Sequence, residues 1–149
     1  MIPLKIFFDA DALIAGSASQ TGASFLLLQL CEIRILHGLT CRQVVAECRR
    51  NLIKKLPQAE PIFGEIIKRA LEIKKNPTLD EQKKYRQMAH PKDLPILTSA
   101  IKSRADYLVT FNTKHYFPQP EYNLAVLQPG DVLQKIRLML SQLESINDS

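Results

Sequence analysis

The sequence predicts an α/β domain with a mostly parallel sheet covered by helices on both faces, and three observations carry that prediction. Leu4 to Phe8 is a short apolar run of β-forming residues closed by Asp9, the pattern of a strand buried on both sides. Two more such runs, Tyr107 to Phe111 and Leu124 to Leu127, occur late in the chain. Between and after them lie stretches with apolar residues at helical period, and alternation of this kind indicates parallel strands joined by helical crossovers. A chain of 149 residues is the length of one domain, expected over residues 1–144 with a loose tail at 145–149.

The elements follow in order. After a polar break from Gly16 to Gly22, Phe25, Leu26, Leu28, Leu30 and Ile33 mark a helix, and Ile33 to Leu36 reads as a short strand closed by His37-Gly38. Thr40 is the expected N-cap of a helix to about Leu56, along which Cys41, Val44, Val45, Cys48, Leu52 and Leu56 recur. Pro57 ends it. Ile62, Phe63, Ile66, Ile67, Ala70 and Ile73 form the buried face of the next helix, which Asn76-Pro77 stops. Leu79 to Met88 is polar and reads as a short exposed helix leading into the turn His90-Pro91-Lys92-Asp93. Leu94, Leu97, Ala100, Ile101 and Arg104 mark a further helix, with Pro95 tolerated in its first turn. Pro129-Gly130-Asp131 is a break before a final helix from Val132 to Leu143.

Composition narrows the class of protein. Hydrophobic residues make up 46% and charged residues 23%, average values that exclude disordered, collagen-like and disulfide-scaffold chains. Cys31, Cys41 and Cys48 lack metal-ligand spacing and read as buried thiols of a reducing, cytoplasmic compartment. Ala12 to Cys31 has no charge, yet Gly16, Ser17, Ser19, Gln20, Thr21, Gly22, Ser24 and Gln29 make it too polar for a membrane span. Twenty Lys and Arg against 15 Asp and Glu leave a net charge of +5, which favours an anionic partner.

Ligands of open parallel sheets bind beyond the carboxyl ends of the strands, where Asp9 and Asn112 stand. On the helix after Thr40 the apolar stripe covers roughly 120°, and Glu47 lies roughly 60° beyond its edge, flanking the core. Asp93 opens a helix. Carboxylates gathered together repel unless one is protonated or a cation sits among them. Oxygen ligands suit Mg2+ or Mn2+, and such an ion can activate water against a phosphodiester. Basic residues accompany the acids: Arg42, Arg49, Arg50, Lys54 and Lys55 around Glu47, and Lys83, Lys84, Arg86 and Lys92 before Asp93. Taken singly, Asp9 is an Asx turn, Asp93 an N-cap, Glu47 a solvated residue and Asn112 a turn former. Only their joint order makes a site. His37, His90 and His115 sit at turns without ligand spacing and read as surface residues.

The blocks Ile6-Phe7-Phe8-Asp9-Ala10-Asp11-Ala12-Leu13-Ile14, Val45-Ala46-Glu47, His90-Pro91-Lys92-Asp93-Leu94-Pro95-Ile96-Leu97 and Leu108-Val109-Thr110-Phe111-Asn112-Thr113-Lys114 resemble, in order, those of the PIN-domain family, and Val126 to Leu133 resembles its closing segment. The resemblance implies a three-layer α/β/α sandwich and a Mg2+- or Mn2+-dependent endoribonuclease acting on single-stranded RNA. Many small members are toxins of the VapC type, paired with an antitoxin and often homodimeric. It carries Asp9, Glu47 and Asp93 over as catalytic metal ligands and Asn112 as a fourth, polar catalytic position. Asp11 and Thr110 would stand behind the ligands, and Arg49, Arg50, Lys54, Lys92 and Lys114 would contact RNA. Two positions depart from the family pattern: Asp11 replaces the usual Thr, Ser or Asn, and His115 stands where an Asp is often found. Phe7-Phe8-Asp9-Ala10-Asp11 also resembles the nucleophile and acid/base pair of haloacid dehalogenase-type phosphatases, with Thr110 as the phosphate-binding residue. That family needs a later acidic pair, whereas Asp131 is followed four residues on by Lys135. A PIN fold that binds RNA without cutting it is the other alternative.

Overall fold

The computed structural model describes residues 2–148, with side chains as far as Ser145. Five strands form one sheet: β1 (Lys5–Phe8), β2 (His37–Cys41), β3 (Leu71–Lys74), β4 (Tyr107–Val109) and β5 (Ala125–Leu127). All pairs are parallel, in the order β3-β2-β1-β4-β5. β1 is central, and Ile6, Phe7 and Phe8 are fully buried, which is why its sequence is continuously apolar rather than alternating. The strand order reverses between β1 and β4, so a crevice opens beyond their carboxyl ends.

Among the described residues, six α-helices lie between the strands and a seventh follows β5: α1 (Ala10–Ala18), α2 (Ala23–Glu32), α3 (Arg42–Lys55), α4 (Glu60–Ala70), α5 (Leu79–Gln82), α6 (Leu94–Lys102) and α7 (Pro129–Asp148). α1 to α4 pack against one another, α7 lies on α2 and β4, and α6 lies on β2 beside α5. The result is the expected three-layer α/β/α sandwich. All three cysteines are free and buried, and burial pushes the Cys31 thiol up to about 12, as expected of inert core thiols. None of the described helices is long and apolar enough to cross a membrane.

Several boundaries differ from the sequence reading. Ile33 to Leu36 is a turn rather than a strand: Arg34 takes a positive φ of 67°, and the N–H groups of Ile35 and Leu36 both donate to the Leu30 carbonyl. β2 starts only at His37, whose N–H donates to the Leu4 carbonyl. Thr40 caps no helix; it lies inside β2, buried, with its hydroxyl donating to the Phe8 carbonyl at 2.9 Å. Ile73 belongs to β3, where it pairs with Thr40, because α4 ends at Ala70 and the strand follows without a loop. Leu79 to Met88 forms α5, a 3-10 turn over Lys83–Tyr85 and a bend, and Tyr85 and Met88 are buried. Arg104 lies past the end of α6 with φ 56°. Pro129 starts α7 instead of preceding it, and the tail expected from Ser145 is drawn into α7 as far as Asp148, while Ser149 lies outside the described residues.

Gly38 shows how tightly β2 is held. A Cβ there would lie 2.7 Å from the Ala70 carbonyl oxygen, 2.8 Å from Leu71 Cδ2 and 2.9 Å from Cys31 Sγ. The carbonyl is backbone and cannot swing away, so Gly38→Ala is expected to lower stability by about 2 kcal/mol, a fall of about 4–8 °C in Tm. An unchanged melting curve would show that β3 yields to the added methyl.

Candidate active site

The register of β1 against β4 builds the centre of the crevice. Phe8 pairs with Val109, so the next residues, Asp9 and Thr110, emerge side by side, and the Asp9 N–H donates to the Val109 carbonyl at 3.0 Å. Asp9 is the N-cap of α1, and its Oδ1 accepts the Ala10 N–H at 2.7 Å. Its Oδ2 accepts the Thr110 hydroxyl at 2.9 Å and the Tyr116 hydroxyl at 2.8 Å. The carboxylate is buried, with 6% of its residue surface exposed. Burial and the Asp9 charge hold the Tyr116 phenol far above its usual range, so it remains a donor.

Asp11, in the first turn of α1, reaches across to the segment after β4. Its Oδ2 accepts the Phe111 N–H at 3.0 Å and the Asn112 side-chain amide at 3.1 Å. The Thr110 hydroxyl lies 3.4 Å from both Asp11 oxygens, but its single hydrogen is committed to the shorter bond with Asp9. Asn112 also donates its backbone N–H to Thr110 Oγ1 at 3.0 Å, so it meets the crevice through Asp11 and Thr110. Burial, and next the Asp9 charge, raise the Asp11 carboxyl from 3.8 to about 6.

Glu47 sits on α3, half-buried at the edge of the apolar face, where the helical wheel put it. Burial raises its carboxyl, followed by the charges of Asp9 and Asp93, while Lys92 and Arg50 oppose the rise. Asp93 takes the N-cap position of α6 but makes no side-chain capping bond; its Oδ2 instead meets His115 Nδ1 at 2.9 Å. The structure thus brings Asp9, Asp11, Glu47, Asp93, Thr110 and Asn112 to one crevice. Of the basic residues, Arg50 and Lys92 stand close enough to influence Glu47. Arg49 lines a separate groove with Arg42, Val45, Ala46 and Ile73, and Lys54 and Lys114 are exposed.

Two site residues escaped the sequence reading. His115 ends a 3-10 turn and Tyr116 follows it, with no periodic pattern. They reach the crevice because Tyr116 pairs with Ala89 in an isolated antiparallel bridge, with the His90 N–H donating to the His115 carbonyl at 2.9 Å. His115, expected as a surface residue, is bonded to Asp93, and His90 stacks on it with ring centroids 4.5 Å apart. His37 does sit at the surface, paired with Glu72.

The raised carboxyls give a pH prediction. Between about pH 4 and about pH 6 the folded chain keeps a proton on Asp11 that the unfolded chain releases, so stability falls as pH rises through that window. Glu47 acts in the same direction. In EDTA, Asp11→Asn should flatten this fall and leave the protein about 1 kcal/mol more stable at neutral pH, a value discounted because Asp11 is partly exposed. Parallel pH slopes of Tm for the variant and the wild type would contradict it.

A doubly wound parallel sheet with an acidic crevice at its switch point defines the class. The PIN-domain family model matches residues 5–114, and the chain belongs to that family. Among solved structures, VapBC2 from Rickettsia felis, bound to a DNA fragment from their promoter, is 19% identical over 83% of this chain and 97% of that chain, with a TM-score of 0.62. PAE2754 from Pyrobaculum aerophilum is 15% identical over 91% of this chain and 96% of that one, with a TM-score of 0.65. At these identities the likeness is one of fold. No curated protein matches the chain significantly.

Proposed function

We propose that this protein is a Mg2+- or Mn2+-dependent endoribonuclease that hydrolyses phosphodiester bonds in single-stranded RNA, acting as the toxin of a toxin–antitoxin pair. Membership of the PIN-domain family and the fold shared with VapBC2 support a nuclease. The observation that carries the reading is the crowding of carboxylates at the switch point, where only Asp93 is paired with a basic side chain, His115. Among the described residues, Asp9, Asp11 and Glu47 make no salt bridge. Asp9 has three neutral donors around it, and its Oδ1 takes only one of them, leaving a lone pair for a cation. This donor set fits a hard divalent ion.

Asp9, Glu47 and Asp93 would hold the ion, which when bound lowers the pKa of a water and stabilises charge on phosphate oxygens. Tyr116 and Thr110 fix the orientation of Asp9. Asn112 and the Phe111 N–H hold Asp11 beside it. Arg50 and Lys92 would meet the phosphates next to the scissile bond, with Arg49, Lys54 and Lys114 along the path of the strand. A cognate antitoxin and a homodimer belong to the same reading.

The phosphatase alternative loses its support, because the family match covers the Asp9 to Thr110 segment and Asp131 is exposed in the first turn of α7. The test is cleavage of a labelled single-stranded RNA in Mg2+, in Mn2+ and in EDTA, with a chromogenic phosphomonoester alongside. RNA cleavage that EDTA abolishes and excess Mg2+ or Mn2+ restores is expected. Hydrolysis of the phosphomonoester alone would overturn the proposal, and RNA binding without cutting in any metal would leave a binding module.

A further inference from the structure

His90, Asp93 and His115 form a cluster whose ligand atoms all lie within 4.8 Å of one another. We propose that it is a second metal site, one that takes a first-row transition ion such as Zn2+ in preference to Mg2+. It shares Asp93 with the acidic crevice, but it does not depend on RNA cleavage.

The backbone ties the three residues together before any ion arrives. The Asp93 N–H donates to the His90 carbonyl at 2.9 Å, and the His90 N–H donates to the His115 carbonyl at 2.9 Å. The Ala89–Tyr116 bridge anchors the same loop pair. Pro91 stiffens the turn that joins His90 to Asp93. At the side-chain level, His115 Nδ1 and Asp93 Oδ2 already stand 2.9 Å apart. That is a few tenths of an ångström under the separation of about 3.3 Å between two tetrahedral ligands whose bonds to one ion are about 2.0–2.1 Å long. The ion would be held by Nδ1 and Oδ2 in place of the hydrogen bond between them. Asp93 is free for this role because it makes no capping bond to α6. The His90 ring is exposed and stacks on His115 with Phe117 at its edge, so its nitrogen stands within 4.8 Å of the other two ligand atoms and would close on the ion as the third ligand.

Two imidazoles and one carboxylate, open to solvent on one side, are the donor set of a three-ligand zinc site. Imidazole nitrogen suits Zn2+ and the later first-row ions, whereas carboxylate oxygen suits Mg2+ and Mn2+. The neighbouring Asp9, Asp11 and Glu47 offer only oxygen, so the two groups of ligands differ in the ion they prefer.

The test is Zn2+ binding to the full chain, read by chelator competition, with the visible spectrum of the Co2+-loaded protein as a second readout. The wild type is expected to bind Zn2+ and to give a Co2+ spectrum that His90→Gln and His115→Gln each change. Each substitution should weaken Zn2+ binding by about tenfold or more. His90 is exposed, so its variant tests the site without disturbing the core. Asp9→Asn should keep Zn2+ binding while losing the rise in Tm that millimolar Mg2+ gives. Zn2+ affinity equal to wild type in both histidine variants, or no Zn2+ binding by the wild type, would overturn the site. Zn2+ binding by a protein that cuts no RNA would refute the nuclease and leave this site standing.

Discussion

Asp9→Asn is expected to lower RNA cleavage by about a thousandfold or more while leaving the fold in place. The loss corresponds to the several kcal/mol of transition-state charge stabilisation that depends on a correctly charged ligand set. Stability should change by less than about 1 kcal/mol, because two effects oppose each other. An amide can accept only at its oxygen, which disturbs the Thr110 and Tyr116 bonds to Oδ2, although either hydroxyl can rotate to accept from the new N–H. Against that, removing one charge relieves Asp11, whose carboxyl Asp9 pushes upward. Cleavage rates and thermal melts on the same preparation separate the two effects. Cleavage at the wild-type rate would end the proposal that Asp9 holds the catalytic ion.

Tyr116→Phe should cost about 2–3 kcal/mol, seen as a fall of about 5–10 °C in Tm. The tyrosine is buried, 5% exposed, and donates to the most buried carboxylate of the crevice. Phenylalanine fills the same space without the donor, so Asp9 Oδ2 keeps only Thr110. Cleavage should also fall, by about tenfold or more, since Asp9 loses one of the three bonds that aim it. The informative contrast is with Asp9→Asn: if Tyr116 acts by holding Asp9, cleavage in the double variant should equal that of Asp9→Asn alone. A further drop in the double variant would assign Tyr116 a role independent of Asp9.

Part of this site was legible because its residues carry positional signals. Asp9 and Asn112 directly follow apolar strands, Glu47 sits at a computable angle from a helical stripe, and Asp93 precedes a proline-started helix. Each signal is local, so the sequence could rank these positions. Tyr116, His115 and His90 have no such signal. They come together through one antiparallel bridge between residues 89 and 116, and no period spans that separation. The misread boundaries have the same origin. Ile33 to Leu36 is apolar enough for a strand, but a left-handed Arg34 and the bonds back to Leu30 make it a turn. Ile73 continues the helical spacing of α4, and only pairing with Thr40 draws it into β3.

The sequence by itself determined the α/β class, the buried central strand, the three inert cysteines, the basic excess and the ordered acidic positions. These follow from local pattern and composition, which tertiary contacts rarely reverse when the periods are strong. Only the tertiary structure decided which carboxylates share hydrogen-bond donors, that Asn112 acts through Asp11, and that two histidines face Asp93. Those relations depend on strand order and register, and a register fixed by long-range pairing is not written in any short stretch of chain.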